Sequence, residues 1–213
     1  MIGIIDYRMG NLRSVQKAFE RVGAEVVIAA SPARLANIDR LVLPGVGAFA
    51  DGMTHLTESN WIEPIVSHIE SGKPFLGICL GMQLLFEDSL EGAPSPDRPV
   101  RGLGTLPGHV IPFAINDRTP KRMKIPHMGW NTISWTRDDP LLRGVNQGAA
   151  AYFVHGFLAR PDETAAQPVT SATADYGGPL CASVWRDNIW ATQFHPEKSQ
   201  RVGLKMLANF AAA

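Results

Sequence analysis

Cys79 lies in a segment whose residue types could supply a nucleophile, Gly77-Ile78-Cys79-Leu80-Gly81-Met82-Gln83. Apolar runs on both sides predict a strand, a sharp turn and a helix, with Cys79 at the turn. The flanking glycines permit a strained backbone and the close approach of a substrate. The positive field at a helix N-terminus favours the thiolate form of a thiol. The alternative is a buried structural cysteine, which is common for free cysteines.

His195 and Glu197 could supply the matching base and its orienting carboxylate. They lie in the segment Gln193-Phe194-His195-Pro196-Glu197-Lys198, which follows a strand-like run. Pro196 fixes the backbone, and Glu197 is placed two residues on, where it can turn back to the imidazole. Cysteine, histidine and glutamate then form a nucleophile, a general base and its orienting group. Alone, His-Pro-Glu is typical of a surface turn; together with a cysteine at a strand–helix turn it favours the catalytic interpretation.

The first half of the chain alternates apolar runs with helical patterns. The runs predict strands at Ile2–Ile5, Glu25–Ala29, Arg40–Leu43 and Phe75–Ile78, and the spacing of apolar residues predicts helices at Asn11–Val22, Trp61–Ser71 and Gly81–Phe86. Such alternation indicates crossover units and a mostly parallel sheet, in which ligands bind beyond the carboxyl ends of the strands. Cys79 and the Pro44–Gly47 loop both follow strands, so we expect them at this edge.

The second half is richer in strands. A loop is predicted at Glu91–Pro99, strands at Gly108–Phe113, Asn131–Trp135, Ala151–Phe157, Ala182–Arg186 and Ile189–Gln193, and a closing helix at Val202–Phe210. The fold class expected is α/β: a mostly parallel central sheet flanked by helices, with an additional β-rich, partly antiparallel region. One domain is predicted over residues 1–213.

Composition excludes several classes of function. The formal net charge is zero, which gives no electrostatic case for nucleic acid or an anionic membrane. The six His and two Cys residues show no zinc-like spacing. Cys181 lies in an apolar run and is interpreted as core, so a disulfide scaffold is not expected and a reducing cytosol fits. Since no apolar run reaches the length of a membrane span or a signal segment, we expect a cytoplasmic protein.

The chain resembles the class I, triad-type glutamine amidotransferases over essentially its whole length. More narrowly, it resembles the glutaminase subunits of imidazole glycerol phosphate synthase in histidine biosynthesis. The two segments described above carry the broader resemblance. The narrower one rests on five stretches, the last of which overlaps the second segment: Asp6-Tyr7-Arg8-Met9-Gly10-Asn11, Pro44-Gly45-Val46-Gly47-Ala48-Phe49, Pro126-His127-Met128-Gly129-Trp130-Asn131, Tyr152-Phe153-Val154-His155 and His195-Pro196-Glu197-Lys198-Ser199. Each is weak to moderately specific alone, and all five in this order are highly specific.

The resemblance implies that Cys79 attacks the side-chain amide of glutamine, with His195 and Glu197 completing the catalytic set. A turned N–H in the loop of Gly45, Val46 and Gly47 could stabilise the tetrahedral oxyanion, and the Leu80 N–H is the natural second donor. The resemblance also implies a loop that can rearrange before it donates. An ordinary Pro-Gly turn is the alternative interpretation of the tetrapeptide.

The resemblance also implies a set of substrate-binding residues. Gln83, one helical turn after Cys79, is expected to bind the amino-acid end of glutamine, although a capping or exposed Gln is an alternative. Glu91 is expected to receive the substrate ammonium group. His155, Gly156 and Phe157 are expected to contact the substrate carboxylate through their backbone. Here the sequence departs from the His-Ser/Thr-Tyr expected in the family. Backbone contacts could survive this change, whereas a contact through a side-chain hydroxyl could not.

The expected partner is a separate cyclase subunit, a (β/α)8 barrel, in a heterodimer. Five residues are predicted at that interface: Gly10, Asn11, Trp130, Tyr152 and Lys198. The alternatives are that Lys198 is merely solvated and that Tyr152 belongs to the core. Lys121, Arg122 and Lys124 form a small basic cluster of the kind that is usually solvated surface. No metal or organic cofactor is implied.

Three rival functions remain open at the level of sequence. The chain could serve another synthase, such as the anthranilate or aminodeoxychorismate enzymes, although the Asp-Tyr-x-x-Gly-Asn and Pro-His-Met-Gly-Trp-Asn stretches argue against this. It could be a catalytically silent scaffold, against which the intact Cys79, His195 and Glu197 argue. It could also be a free-standing cysteine hydrolase, which would turn over without a partner.

Overall fold

An eight-stranded sheet forms the centre of the computed structural model, which describes residues 1–113 and 123–213. The strands are β1 Ile2–Ile5, β2 Val26–Ala29, β3 Arg40–Gly45, β4 Phe75–Cys79, β5 Asp88–Ser89, β6 Val100–Arg101, β7 Gly108–Pro112, β8 His127–Thr132, β9 Ser134–Trp135, β10 Ala150–His155, β11 Phe157–Pro161, β12 Thr170–Asp175, β13 Pro179–Arg186 and β14 Ile189–Thr192. The α-helices are α1 Leu12–Arg21, α2 Phe49–Glu58, α3 Ile62–Glu70, α4 Leu80–Gln83 and α5 Gln200–Ala212.

The order of strands in the large sheet is β2-β1-β3-β4-β14-β13-β12-β9. Strands β2, β1, β3, β4 and β14 are parallel neighbours, whereas β13, β12 and β9 extend the sheet in antiparallel pairing. Two smaller sheets, β10-β8 and β11-β7-β5-β6, complete the β-rich half. The predicted α/β class is confirmed. That residues 1–213 form one domain stays a prediction.

The two faces of the large sheet bury separate apolar clusters. On β3, Leu41 and Leu43 pack into one cluster and Val42 into the other, because successive side chains of a strand point to opposite faces. Phe19 of α1 and Phe210 of α5 pack together on the Val42 side, with their ring centroids 6.1 Å apart. In the part of the chain that the structure describes, none of the helices has the length and apolar character needed to cross a membrane.

Helix α4 is shorter than predicted, spanning Leu80–Gln83 rather than Gly81–Phe86. The N–H groups of Leu85 and Phe86 donate three residues back, to Met82 O and Gln83 O, so the α-helical bonding ends at Leu84. The carbonyls of residues 84–86 accept hydrogen bonds from the backbone of residues 103–106, which fastens this segment to a neighbouring loop. The predicted end of the helix was therefore wrong, because the last turn is of the tighter 3-10 type.

Two predicted strands are each divided between two sheets. The run 131–135 contains the end of β8 and all of β9, and it breaks at Ile133, whose N–H donates to Ala149 O at 3.0 Å. The run 151–157 contains β10 and the start of β11, and it breaks at Gly156. Strand β10 pairs with β8, whereas β11 pairs with β7. Strand-forming residues stand on both sides of each break, so the pattern did not show that the chain changes sheets there.

Some elements had no sequence prediction, notably α2 and β12. Helix α2 has Gly52 in its buried stripe, and a Cβ there would lie 3.1 Å from Leu84, so the residue that weakens the helical pattern is where the helix packs closely. Strand β12 is polar in composition, but Ser171 is buried and its hydroxyl pairs with that of Ser183 at 2.7 Å. Lys121 and Arg122 of the basic cluster lie outside the described residues.

Candidate active site

Cys79 lies at the turn from β4 into α4, as the sequence predicted. The strained backbone conformation is at Cys79 itself and not at the flanking glycines. Its φ is +55° and its ψ is −107°. Residues other than glycine rarely adopt a positive φ, and the backbone strain at such a position costs about 1–3 kcal/mol of conformational free energy. In the parallel register, Gly45 at the end of β3 lies opposite Cys79. The nucleophile candidate and the start of the 45–47 loop therefore leave neighbouring strands at the same edge.

The two glycines that flank the turn provide space for packing rather than for a substrate. A Cβ on Gly81 would lie 1.8 Å from Leu43 O, and one on Gly77 would lie 2.7 Å from Gly81 O. Only glycine at both positions allows α4 to pack directly on β3 and β4. The expectation that these glycines serve substrate approach is corrected by these contacts.

His195 and Glu197 form a buried pair next to Cys79. The Nδ1 atom of His195 lies 2.8 Å from Oε1 of Glu197, and both side chains are 2% exposed. Glu197 belongs to a short 3-10 helix, Pro196–Lys198, which turns the carboxylate back to the imidazole. The predicted local geometry of His-Pro-Glu is thus present, with the imidazole oriented by the carboxylate through the nitrogen that faces away from the nucleophile.

Strand β10 holds the His195 segment in place through its backbone. The N–H of His195 donates to Tyr152 O at 2.9 Å. The N–H of Tyr152 donates to the hydroxyl of Ser199 at 3.0 Å, and that hydroxyl donates to His195 O at 2.7 Å. Two of these hydrogen bonds hold residues 195–199 against β10 and the third lies within the segment, so the imidazole position follows from the position of that strand.

The electrostatics of His195 favour its charged, imidazolium form. Burial lowers the pKa of His195, but its interactions with the Cys79 sulfur and the Glu197 carboxylate outweigh burial and raise that pKa well above its ordinary value. Its Nε2 atom is buried and has no hydrogen-bond partner among the described residues. Since Nδ1 is occupied by Glu197, Nε2 is the atom left to exchange a proton with Cys79. This arrangement can perform acyl transfer through a thioester.

A cavity of about 300 Å³ opens above Cys79. Of the four predicted oxyanion residues, Val46, Gly47 and Leu80 line it, whereas Gly45 is buried beneath the loop. As the first residue of α4, Leu80 has no intrahelical partner for its N–H. Gly47 has φ +120°, a conformation that suits glycine. Whether these groups bind an oxyanion stays a prediction.

Gln83 lines the cavity and is joined to Cys79 through a second glutamine. Its Nε2 donates to Phe157 O and to Oε1 of Gln193, both at 3.0 Å. The Nε2 of Gln193 in turn lies 3.8 Å from the Cys79 sulfur. Because both amide hydrogens of Gln83 are used within the protein, it can offer a substrate only its carbonyl oxygen. An acceptor there fits the predicted contact with the amino-acid end of a substrate.

Glu91 also lines the cavity, and its carboxylate lies against the N-terminus of α2. Its Oε2 accepts a hydrogen bond from the Phe49 N–H at 2.9 Å. Burial raises the pKa of Glu91, the Phe49 N–H opposes this, and nearby Asp51 adds to the rise. A partly buried carboxylate in this position fits the predicted ammonium contact, which remains untested.

His155, Gly156 and Phe157 line the same cavity, and the side chain of His155 extends a chain of hydrogen bonds behind it. The Nδ1 of His155 lies 2.7 Å from Phe157 O, so this nitrogen carries the hydrogen. Its Nε2 then accepts from Nδ1 of His127 at 3.0 Å, and Nε2 of His127 accepts from Asn131 at 3.3 Å. Burial lowers the pKa of both histidines to about 4, so both are neutral at pH 7.

Three of the predicted interface residues form one cluster at the rim of the cavity. Trp130 is 50% exposed and meets Tyr152 edge-on, with ring centroids 5.9 Å apart. The Nζ of Lys198 lies 5.8 Å from the Tyr152 ring centre. Around them, Met128 is 62% exposed, and Ile125 and Val46 are each 40% exposed. Apolar groups grouped about a cavity mouth are typical of a surface that meets a partner.

The other two interface candidates, Gly10 and Asn11, lie between β1 and α1. Asn11 is the N-cap residue of α1, since its side chain accepts a hydrogen bond from the Ser14 N–H at 3.2 Å. A Cβ on Gly10 would lie 3.4 Å from Gly45 N. Both residues therefore have roles inside the fold, and a role at an interface stays a prediction for them.

Sequence reasoning gave no role to Gln193, His127 or Ser199. The sequence signal for Gln193 is its position two residues before His195. In the structure it is fully buried, although glutamine is rarely buried. His127 and Ser199 were missed because the contacts that join them to the site, with His155 and with the Tyr152 N–H, link residues distant in sequence. Among the described residues, no cluster of three or more His, Cys, Asp or Glu side chains is placed to hold a metal ion.

Comparison with known proteins identifies the family of this chain. Residues 3–213 match the family model described as glutamine amidotransferase class-I. Two solved structures share the fold at TM-score 0.71: one described as a glutamine amidotransferase (18% identity, 100% of this chain and 99% of that chain) and PurLQS from Thermotoga maritima (19% identity, 99% and 96%). The chain belongs to the class-I glutamine amidotransferases.

Relatives with higher sequence identity identify the subfamily within this class. Imidazole glycerol phosphate synthase subunit HisH of Syntrophotalea carbinolica is 52% identical over 211 residues, covering 99% of this chain and 98% of that protein. The proteins of the same name from Geobacter metallireducens (53% over 211 residues; 99% and 97%) and Aquifex aeolicus (48% over 208 residues; 97% and 94%) are also similar over nearly their full length. Within its class, the chain therefore belongs to the HisH subunit family.

Proposed function

We propose that this chain is the glutaminase subunit of an imidazole glycerol phosphate synthase, acting in histidine biosynthesis. The observation that carries the proposal is the strained Cys79 beside the buried His195–Glu197 pair, in a chain about 50% identical over its whole length to named HisH subunits. Glutamine is the substrate, and glutamate and ammonia are the products.

The reaction begins with attack of the Cys79 sulfur on the side-chain carboxamide of glutamine. His195 takes the thiol proton and delivers a proton to the departing nitrogen, so the C–N bond breaks and ammonia leaves. The resulting glutamyl thioester is hydrolysed by a water molecule whose proton His195 accepts. Glu197 holds the imidazole at Nδ1, 2.8 Å away, and stabilises its charged form.

The negative charge that develops on the amide oxygen requires donors in the cavity. The N–H of Leu80 and a turned N–H of the 45–47 loop supply them. Gln83 and Glu91 receive the ammonium end of glutamine, and the 155–157 backbone receives its carboxylate. Because Phe157 replaces the tyrosine expected in the family, the carboxylate contact relies on the backbone.

Ammonia passes to a cyclase subunit, a (β/α)8 barrel bound as a heterodimer partner. There it reacts with a phosphoribosyl aminoimidazole-carboxamide intermediate and gives imidazole glycerol phosphate and a carboxamide nucleotide. The docking surface is the apolar rim of Trp130, Tyr152 and Met128 with Lys198, around the cavity mouth. The free thiols of Cys79 and Cys181 suit a reducing compartment, which supports a location in the cytoplasm.

Glutamate release tests this proposal directly. The purified chain is mixed with a cyclase subunit from one of the named organisms and with its nucleotide substrate. We expect a slow rate for the isolated chain and a large rise with partner and nucleotide together. Stimulation by chorismate-utilising synthase subunits instead would favour the rival assignment, and the full rate without any partner would favour a free-standing hydrolase.

A further inference from the structure

Tyr7 carries a buried hydroxyl that the reaction proposed above does not use. Its side chain is 0% exposed, and its Oη has no hydrogen-bond partner among the described residues. Buried polar groups in folded proteins are almost always paired, so an unpaired one calls for an explanation. Burial, with a smaller contribution from nearby Cys79, raises the pKa of Tyr7, which keeps its hydroxyl protonated as a hydrogen-bond donor.

The hydroxyl lies directly beneath the first residue of the 45–47 loop. A Cβ at Gly45 would lie 2.5 Å from Tyr7 Oη and 2.8 Å from Leu80 Cβ. A side chain at position 45 would therefore collide with the phenol. Gly45 is the point at which β3 ends, so the hydroxyl faces the peptide units that lead from the sheet into the cavity wall.

The residues that follow Tyr7 extend the same contact along the loop. A Cβ on Gly10 would lie 3.4 Å from Gly45 N and 3.5 Å from the carbonyl carbon of Pro44. The Cε of Met9 lies 2.6 Å from the Cβ position of Gly47. The segment 7–10 thus supports the loop from Pro44 to Gly47.

Tyr7 and the Cys79 side chain pack on opposite sides of the sheet. Tyr7 packs in the cluster that contains Leu41 and Leu43, whereas Cys79 packs in the other cluster. A peptide unit is planar, with its N–H and C=O pointing in opposite directions. When a loop N–H turns toward Cys79, the carbonyl of the same peptide must turn away, toward the side on which Tyr7 lies.

We propose that Tyr7 is a positioning residue for the 45–47 loop: its hydroxyl donates to a loop carbonyl in the arrangement that presents an N–H above Cys79. This inference rests on the proposed function, in which that loop stabilises the oxyanion. The same segment contains Gly10, a predicted partner contact. Docking of the partner would then act on the loop through residues 7–10, with the Tyr7 hydroxyl favouring the donating arrangement.

The test is Tyr7→Phe, which removes only the oxygen. The readout is kcat for glutamine in the complex with partner and nucleotide, relative to the wild-type complex. We expect this kcat to fall about tenfold, the factor that one hydrogen bond of ordinary net strength provides, with KM for glutamine unchanged. The Tm should stay the same or rise, since an unpaired buried hydroxyl is removed. Alkylation of Cys79 by iodoacetamide, which forms no oxyanion, should keep its rate.

Tyr176→Phe is the matched control. Its hydroxyl donates to Lys124 O at 2.8 Å, so its loss should lower the Tm and leave kcat of the complex unchanged. An unchanged kcat of the complex in Tyr7→Phe, or an equal loss in both variants, would overturn the role of Tyr7. If the wild-type chain is not stimulated at all, the proposed function fails instead, so the two failures are distinguishable.

Discussion

His195 Nδ1 lies 2.8 Å from Glu197 Oε1, with both side chains almost completely buried. The carboxylate therefore orients the imidazole without competition from water. Nε2 is left to face the sulfur of Cys79, so the proton-transfer atom and the orienting atom are separate nitrogens of one ring.

Substitutions at these two residues should have unequal effects. His195→Ala should slow glutamine turnover by about 10²–10⁴-fold, because the acid and base of both steps is lost. Glu197→Gln should cost less, because an amide oxygen can still accept from Nδ1. Steady-state kcat with partner and nucleotide is the measurement. A Glu197→Gln enzyme slower than His195→Ala would contradict this division of roles.

Gln193 should matter for both stability and substrate binding. Gln193→Met leaves the buried Nε2 of Gln83 without one of its acceptors, a loss of about 1–3 kcal/mol in the free energy of unfolding. Because the Gln83 amide then loses a contact that orients it, KM for glutamine should also rise. Urea unfolding and KM are the measurements, and Gln167→Met, at an exposed loop position, is the control, expected within about 0.5 kcal/mol of wild type. Equal effects of the two substitutions would contradict a role for Gln193.

The neutral histidine pair predicts loss of stability in mild acid. Burial lowers the pKa of His127 from 6.5 to about 4 in the folded protein, so the unfolded chain binds the proton more readily. The contribution of His127 to the free energy of unfolding is therefore fully present above pH 6.5 and is lost as the pH drops toward 4. His127→Asn keeps a donor toward His155 but cannot titrate, so its free energy of unfolding should depend less on pH in this window. An identical pH slope in wild type and variant, measured by urea unfolding, would remove His127 from the account.

The strand–helix turn at Cys79 and the folded-back His-Pro-Glu could be predicted because local patterns encode both. The contacts that complete the site could not. Gln193 and Gln83 meet only because β14 pairs with β4, and Tyr7 reaches Gly45 only because β1 pairs with β3. Helix α2 was missed because Gly52 interrupts its apolar stripe, although that glycine packs against Leu84. Long-range packing thus decides the part of the site that local patterns leave open.

Lys198 and Tyr152 should couple the two reactions. Lys198→Ala removes the ammonium group that lies over the Tyr152 ring at the cavity rim. In the complex, glutamate release should then exceed product formation, since ammonia escapes at a loosened seam. Lys205→Ala, at an exposed position on α5, is the control and should keep one product per glutamate. One-to-one stoichiometry and unchanged partner affinity in Lys198→Ala would show that docking and sealing do not depend on this residue.

The central claim is that Cys79 releases ammonia for a partner's synthesis, and Cys79→Ala in the assembled complex tests it most directly. Product formation is measured with glutamine and, separately, with added ammonium salt as the nitrogen source. We predict that glutamine-dependent synthesis is lost while ammonium-dependent synthesis is largely retained. Normal glutamine-dependent synthesis by Cys79→Ala would contradict the account.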